Sequence, residues 1–160
     1  IHLFAFDNGR ESYDESRVLQ AGQHPSAFEL PSRDGHTWRV ALSVCYDMRF
    51  PELYRQLQPH LIMAPSAFTH TTGQAHWEIL LRARAIETQC WVIAAGQCGE
   101  HSKGRQTWGH SMIIDPWGVI LAQTPAGFKE EERILRATLS RERINRVRAQ
   151  IPMKSHRRLI

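Results

Sequence analysis

Cysteine is the residue type in this chain best suited to covalent chemistry, and Cys45 stands where that chemistry could be organised. A thiolate is a strong nucleophile, but an ordinary thiol with a pKa of roughly 8.5 needs a base, a cation or aligned N–H groups to form one. Trp38, Val40, Leu42 and Val44 alternate with Arg39, Ala41 and Ser43, which is the period-two signature of a strand. Pro51 then opens a helix-like run, and proline suits a first helical position because its missing N–H costs nothing there. Cys45 therefore falls on the turn between strand and helix, where unpaired N–H groups and the helix dipole favour an anion. A lone cysteine after an apolar strand also reads as packed core, so position alone leaves both readings open. Arg49, four residues on, could clamp a carboxylate with two parallel hydrogen bonds, or could pair with Asp47 or Glu52. A Cys–His dyad competes, with His76 and His110 as candidates, but neither shows the local signature of one. No His-x-x-x-His pair with a carboxylate is present, so neither a metal site nor a cofactor is expected.

The elements that would hold these groups alternate between strand and helix. Residues 1–6 read as the end of a short strand and 7–22 as a polar, turn-rich stretch. Residues 27–30 and 37–44 flank Asp34-Gly35, a hairpin signal. The helix after Cys45 closes over 53–57, and a strand follows at 60–64. A Thr/Gly-rich loop over 69–74 leads into a helix over 75–89. Its apolar residues form two stripes, one of Trp77, Leu80, Leu81 and Ala85 and one of Ile79, Ala83 and Ile86. A helix apolar on two sides is buried on two sides, against its own sheet and against a partner subunit. The expectation is a homodimer or higher oligomer formed through this helix and the one after Cys45. Glu78 with Arg82 and Arg84 with Glu87 have ion-pair spacing, read as structural. A central strand at 90–95, a loop over 97–108 and a strand pair at 111–115 and 119–123 around Pro116-Trp117-Gly118 come next. A polar stretch covers 124–132, a last strand 134–139, and a helix capped by Ser140 ends at Pro152.

Composition narrows the partners. The 160 residues, 42% hydrophobic and 22% charged, can bury a core as one domain. No apolar run reaches the roughly 18–20 residues of a membrane helix. The net charge of +4 is dispersed along the chain, and the basic segment 133–148 interleaves Glu142, Ile144 and Val147 as an amphipathic face. Neither a membrane nor nucleic acid is expected as a partner. Cys45, Cys90 and Cys98 cannot all pair and match no common zinc spacing, so a reducing cytoplasmic setting is expected.

The block Cys-Tyr-Asp-Met-Arg-Phe-Pro-Glu-Leu at 45–53 resembles the nucleophile segment of the nitrilase (carbon–nitrogen hydrolase) superfamily. The resemblance continues through Pro-Ser-Ala-Phe at 65–68, Gly-Gln-Ala-His-Trp-Glu at 73–78, Arg-Ala-Arg-Ala-Ile-Glu-Thr-Gln-Cys at 82–90 and Gly-His-Ser-Met-Ile-Ile-Asp-Pro-Trp-Gly at 109–118. The blocks stand in the family's order at about its spacing, and they are most similar to the amidase branch acting on deaminated glutathione. The resemblance implies an α/β fold, part of a four-layer α-β-β-α sandwich, with this chain supplying part of each sheet. It implies hydrolysis of a small amide substrate through a thioester on Cys45, with the Tyr46 backbone N–H bonding the oxyanion. Arg49 would read the acidic end of the substrate, or an α-keto acid amide in the ω-amidase reading. Phe68 and Thr72 would wall the pocket from a loop. A supporting glutamate is implied in a Glu-Ser pair, which Glu15-Ser16 and Glu11-Ser12 both offer, with Glu15 preferred. The family's catalytic lysine would precede Ile1 and its first glutamate would lie further upstream. The chain thus resembles a carbon–nitrogen hydrolase domain (1–160) whose N-terminal part is missing. By itself it is expected to be nearly inert, as an amidase half or a remnant without catalysis.

Overall fold

The computed structural model describes residues 1–127 and 133–159. Its framework is a six-stranded mixed sheet in the order β10-β9-β6-β5-β4-β3. β3 (Ser26–Pro31) and β4 (Thr37–Leu42) form the antiparallel hairpin that Asp34-Gly35 signals, with Gly35 at φ +82°. β4, β5 (Leu61–Met63) and β6 (Trp91–Ala94) run parallel, and β9 (Met112–Ile114) and β10 (Ile120–Gln123) close the other side antiparallel. Parallel neighbours need crossovers, supplied by α1 (Pro51–Leu57) and α2 (His70–Thr88). Two ribbons stand apart from this sheet: β1 (Ala5–Asp7) with β2 (Ser12–Asp14), and β7 (Cys98–Glu100) with β8 (Gln106–Trp108). α3 (Arg141–Gln150), capped by the Ser140 hydroxyl, and the short α4 (Met153–His156) complete the chain.

Strand register assigns the faces. Ala41, Ile62, Val92 and Ile114 pair side by side and meet Leu53, Tyr54, Trp77, Leu81 and Ala85 of α1 and α2 in the main core. On the opposite face Trp38, Val40, Leu61 and Trp91 receive Ile144 of α3. α3 reaches only the first half of the strands. Further along, Leu42 and Met63 stay exposed, as do Phe28 and Leu30 on β3.

The α/β class is as expected, with six strands in one central mixed sheet. Several expectations about single elements are corrected. α2 starts at His70, so 70–74 is helix and not loop: the Thr69 hydroxyl accepts the Thr72 N–H and caps the helix. The stretch 97–108 is not a loop but the β7–β8 hairpin, docked by Trp108 N–H to Phe68 C=O at 3.0 Å. No strand forms over 134–139: Leu139 packs near Trp38 while Ile134 is exposed, and no neighbouring strand pairs with it. The polar stretch 124–132 lies partly outside the described residues. No helix among them is long and apolar enough to cross a membrane, and no group of three or more His, Cys, Asp or Glu could hold a metal ion.

Candidate active site

The C-terminal ends of β4 and β5 open onto one cavity of about 380 Å³, lined by Cys45, Tyr46 and Arg49 from the turn after β4 and by Ser66, Ala67 and Phe68 after β5. Glu15 and Tyr13 close it from the N-terminal segment, and Arg105 from the hairpin. Ligands in open α/β sheets gather at this end because the loops beyond the strands are free to diverge there.

Cys45 has φ +47°, a left-handed conformation unfavourable for a residue with a Cβ. Three hydrogen bonds impose it. Cys45 N–H donates to Pro65 C=O (3.0 Å), Asp47 N–H to Val44 C=O (3.0 Å), and Val44 N–H to the Asp47 carboxylate (2.9 Å). The corner becomes a single 3-10 turn over Cys45–Arg49, after which Pro51 begins α1. The first N–H groups of such a turn have no partner within it. Among the described residues no acceptor meets the Tyr46 N–H, which leaves it available beside the sulfur.

Asp47 holds this turn to the N-terminal segment. Its carboxylate takes the nitrogen of Ile1 (2.8 and 3.0 Å), the His2 N–H (3.0 Å) and the His2 ring (2.8 Å), and that ring stacks on Phe50. Burial alone would raise its pKa. The hydrogen bonds from Ile1, His2 and Val44 outweigh burial and hold the carboxyl below its usual range.

Asp47 is therefore engaged elsewhere and does not pair with Arg49, and neither does Glu52. The Arg49 guanidinium lies over the Phe68 ring (5.5 Å) and the Tyr46 ring (5.8 Å) and donates to His76 Nδ1 at 3.3 Å. Of the two glutamates considered, Glu15 lines the cavity and accepts the Phe4 N–H at 2.8 Å, while Glu11 lies outside it and bonds the Thr71 hydroxyl. Phe68 lines the cavity with its ring packed on Trp77. Thr72 lines it too, but from the first turn of α2, and its hydroxyl meets that of Thr69 at 2.8 Å. No histidine lines the cavity. His76 faces Arg49, and His110 bonds Gln123 at 3.3 Å.

Burial pushes the Cys45 thiol above its ordinary pKa. The Ala67 N–H at the sulfur works against burial, Glu15 raises the pKa further, and Arg105 and Arg49 lower it. Arg105 is not among the residues expected from the sequence, because it stands just before a three-residue strand within the stretch 97–108. Arg105, Gln106 and Thr107 are consecutive polar residues with no alternation, so the sequence carries no local signal for it.

Residues 1–149 match the carbon-nitrogen hydrolase family. The deaminated glutathione amidase of Yersinia enterocolitica is 41% identical over 167 residues, a match covering 100% of this chain and 54% of the relative. That of Synechocystis is 44% identical over 162 residues, covering 98% and 57%. The crystal structure of the Caenorhabditis elegans NitFhit protein superposes with a TM-score of 0.81 at 41% identity, covering 99% of this chain and 37% of that one. The chain spans about half the length of the curated relatives it matches.

Proposed function

The chain belongs to the carbon–nitrogen hydrolase family, and on that premise we propose that it carries the nucleophile of an amidase. The substrate is a small carboxylate-bearing amide of the deaminated glutathione type. One observation carries the reading: Cys45 opens into a cavity beside Arg49, a guanidinium with no carboxylate partner among the described residues. Two relatives bearing the name deaminated glutathione amidase support the substrate class.

An amide is a poor electrophile with a poor leaving group, so its cleavage needs a strong nucleophile, oxyanion stabilisation and a proton for the departing amine. In the proposed route the Cys45 thiolate attacks the carbonyl carbon and the Tyr46 N–H bonds the developing oxyanion. The C–N bond then breaks as the amine takes a proton, leaving a thioester that water hydrolyses to the acid and free thiol. Glu15 serves as the supporting carboxylate at the cavity wall, and Arg49 holds the acid group of the acyl portion.

The raised Cys45 pKa favours a second statement about the same site. Burial disfavours the thiolate, so we infer that turnover needs a base or a cation acting on the Cys45 sulfur. Without general acid–base assistance the rate falls by roughly 10²–10⁴-fold. We also propose that a second copy of the chain covers the outer stripe of α2, where Ile79 is 69% and Ile86 46% exposed beside the exposed Trp117.

The test uses an active enzyme containing this chain. Cys45→Ala abolishes hydrolysis. Arg49→Met raises KM for anionic amides by about tenfold or more and leaves neutral amides nearly unchanged. Equal effects on both classes reject the carboxylate clamp.

A further inference from the structure

Arg105 enters the cavity from an element unrelated to the thiol turn. β7 and β8 pair from Cys98–Trp108 to Glu100–Gln106, and a 3-10 turn over Ser102–Gly104 with Gly104 at φ +74° closes the hairpin. His101 N–H donates to Arg105 C=O at 2.7 Å, and the His101 ring bonds the Thr107 hydroxyl at 2.8 Å, which ties Arg105 and Thr107 to His101 across the turn. Its guanidinium sits over the Tyr13 ring (5.9 Å) and gives one N–H to Ala67 C=O at 3.3 Å. A guanidinium has five N–H donors, so most remain without a partner among the described residues.

The acids lining the cavity do not neutralise it. Asp14 is held by Ser16 and by Arg17 (3.2 Å), and Glu15 by the Phe4 N–H. Two guanidiniums, Arg49 and Arg105, thus face one cavity from different elements, and neither has a carboxylate partner among the described residues. Both act on Cys45 through space, lowering its pKa, so both charges are felt at the reacting atom.

We propose that Arg105 is a second carboxylate-binding side chain of this cavity, reading an anionic group on the amine side of the scissile amide while Arg49 reads the acyl side. The site then selects amides with a carboxylate at each end. This rests on the reading of Arg49 as the acyl-side clamp. The charge of Arg105, and not only its bond to Ala67, makes the selection.

Protection of Cys45 from alkylation by iodoacetamide, read by mass spectrometry of the peptide that contains it, tests this in the chain as it stands, because binding and not turnover is measured. The probes are N-succinylglycine, with a carboxylate on both sides of its amide, and succinamate, with one on the acyl side alone. N-Succinylglycine protects at concentrations about tenfold lower than succinamate. Arg105→Met removes that advantage and leaves protection by succinamate unchanged, whereas Arg105→Lys keeps part of it. The proposal is overturned if the advantage survives Arg105→Met, if the unmodified chain shows none, or if Arg105→Met weakens both probes equally, as a merely structural role would. Arg49→Met separates the two readings. If it leaves protection by succinamate intact, the acyl-side clamp fails while the Arg105 result still stands or falls by itself.

Discussion

Gly73→Ala sets two effects of opposite sign against each other, and the structure decides between them. Gly73 lies in the first half of α2 with ordinary helical backbone, so alanine there should stabilise the helix by about 1 kcal/mol. A methyl group at this position would press on Trp108 Cβ and lie 2.5 Å from its Cγ and 2.9 Å from its Cδ1. The nearest atoms belong to the root of the side chain, so a rotamer change cannot relieve the contact. Either the core absorbs an overpacked methyl, at about 1–3 kcal/mol, or β8 moves away. Movement would break Trp108 N–H to Phe68 C=O and the Thr69–Thr107 bridge, at roughly 1 kcal/mol for each bond. Set against the propensity gain, overpacking leaves a net loss of about 0–2 kcal/mol and movement one of about 1 kcal/mol. At this chain length that lowers Tm by up to roughly 8 °C. Thermal unfolding by circular dichroism measures it, with the exposed neighbour Gln74→Ala as a control that should shift little. Because the same hairpin bears Arg105, the variant should also lose part of its preference for N-succinylglycine. A Gly73→Ala chain that melts above the parent would refute the packing argument.

Two further predictions concern protons. Burial raises the Cys45 pKa, so its alkylation rate should climb with pH through a midpoint above that of free cysteine, and a plateau below pH 7 would contradict the thiol assignment. His60 is pushed down to about 4, chiefly by burial and then by Arg141 and Arg148, and its Nδ1 accepts the Arg39 N–H at 2.9 Å. The unfolded chain takes up this proton near pH 6.5 and the folded chain only near pH 4, so the stability present above pH 6.5 is lost progressively as pH falls toward 4. Urea midpoints of the His60→Asn chain should fall less steeply across that window than those of the parent; identical slopes would exclude the histidine as the cause.

What could be read from the sequence, and what could not, divides along the strands themselves. Alternation at 38–44 located β4, and Pro51 located α1, so the corner holding Cys45 followed from two local rules. The alternation was not evidence of a covered face, however. Its apolar set, Trp38, Val40, Leu42 and Val44, points away from α1 and α2, and its second half is exposed. Ala41 and Ser43 face the helices instead, with side chains small enough to admit Met48 and Tyr54. The start of α2 was missed because Thr, Thr and Gly have low helix propensity, while the structure uses Thr69 as a cap and Gly73 to admit Trp108. Arg105 was missed because three-residue strands are too short to show a period, and the docking of β8 on Phe68 is a contact across forty residues of sequence.

The site consists mainly of what lies beyond the strand ends. Cys45 needs a positive φ, the Tyr46 N–H must find no partner inside its turn, and Ser66 must leave β5 to bridge Gly96 after β6. None of these is periodic, and each depends on a neighbour remote in sequence: Pro65 for Cys45, Ala95 for Ser66, Gly109 for Gly96. A methyl group on Gly96 would strike the Gly109 carbonyl, so the turns after β6 and before β9 can close only around a glycine. Hydrophobic period therefore reports where the sheet is, and the chemistry is set by the non-repeating backbone at its edge. That is why residue types and family blocks put forward Cys45 and Arg49 as candidates, while Arg105, which no period and no block marked, joins the cavity wall only in the fold.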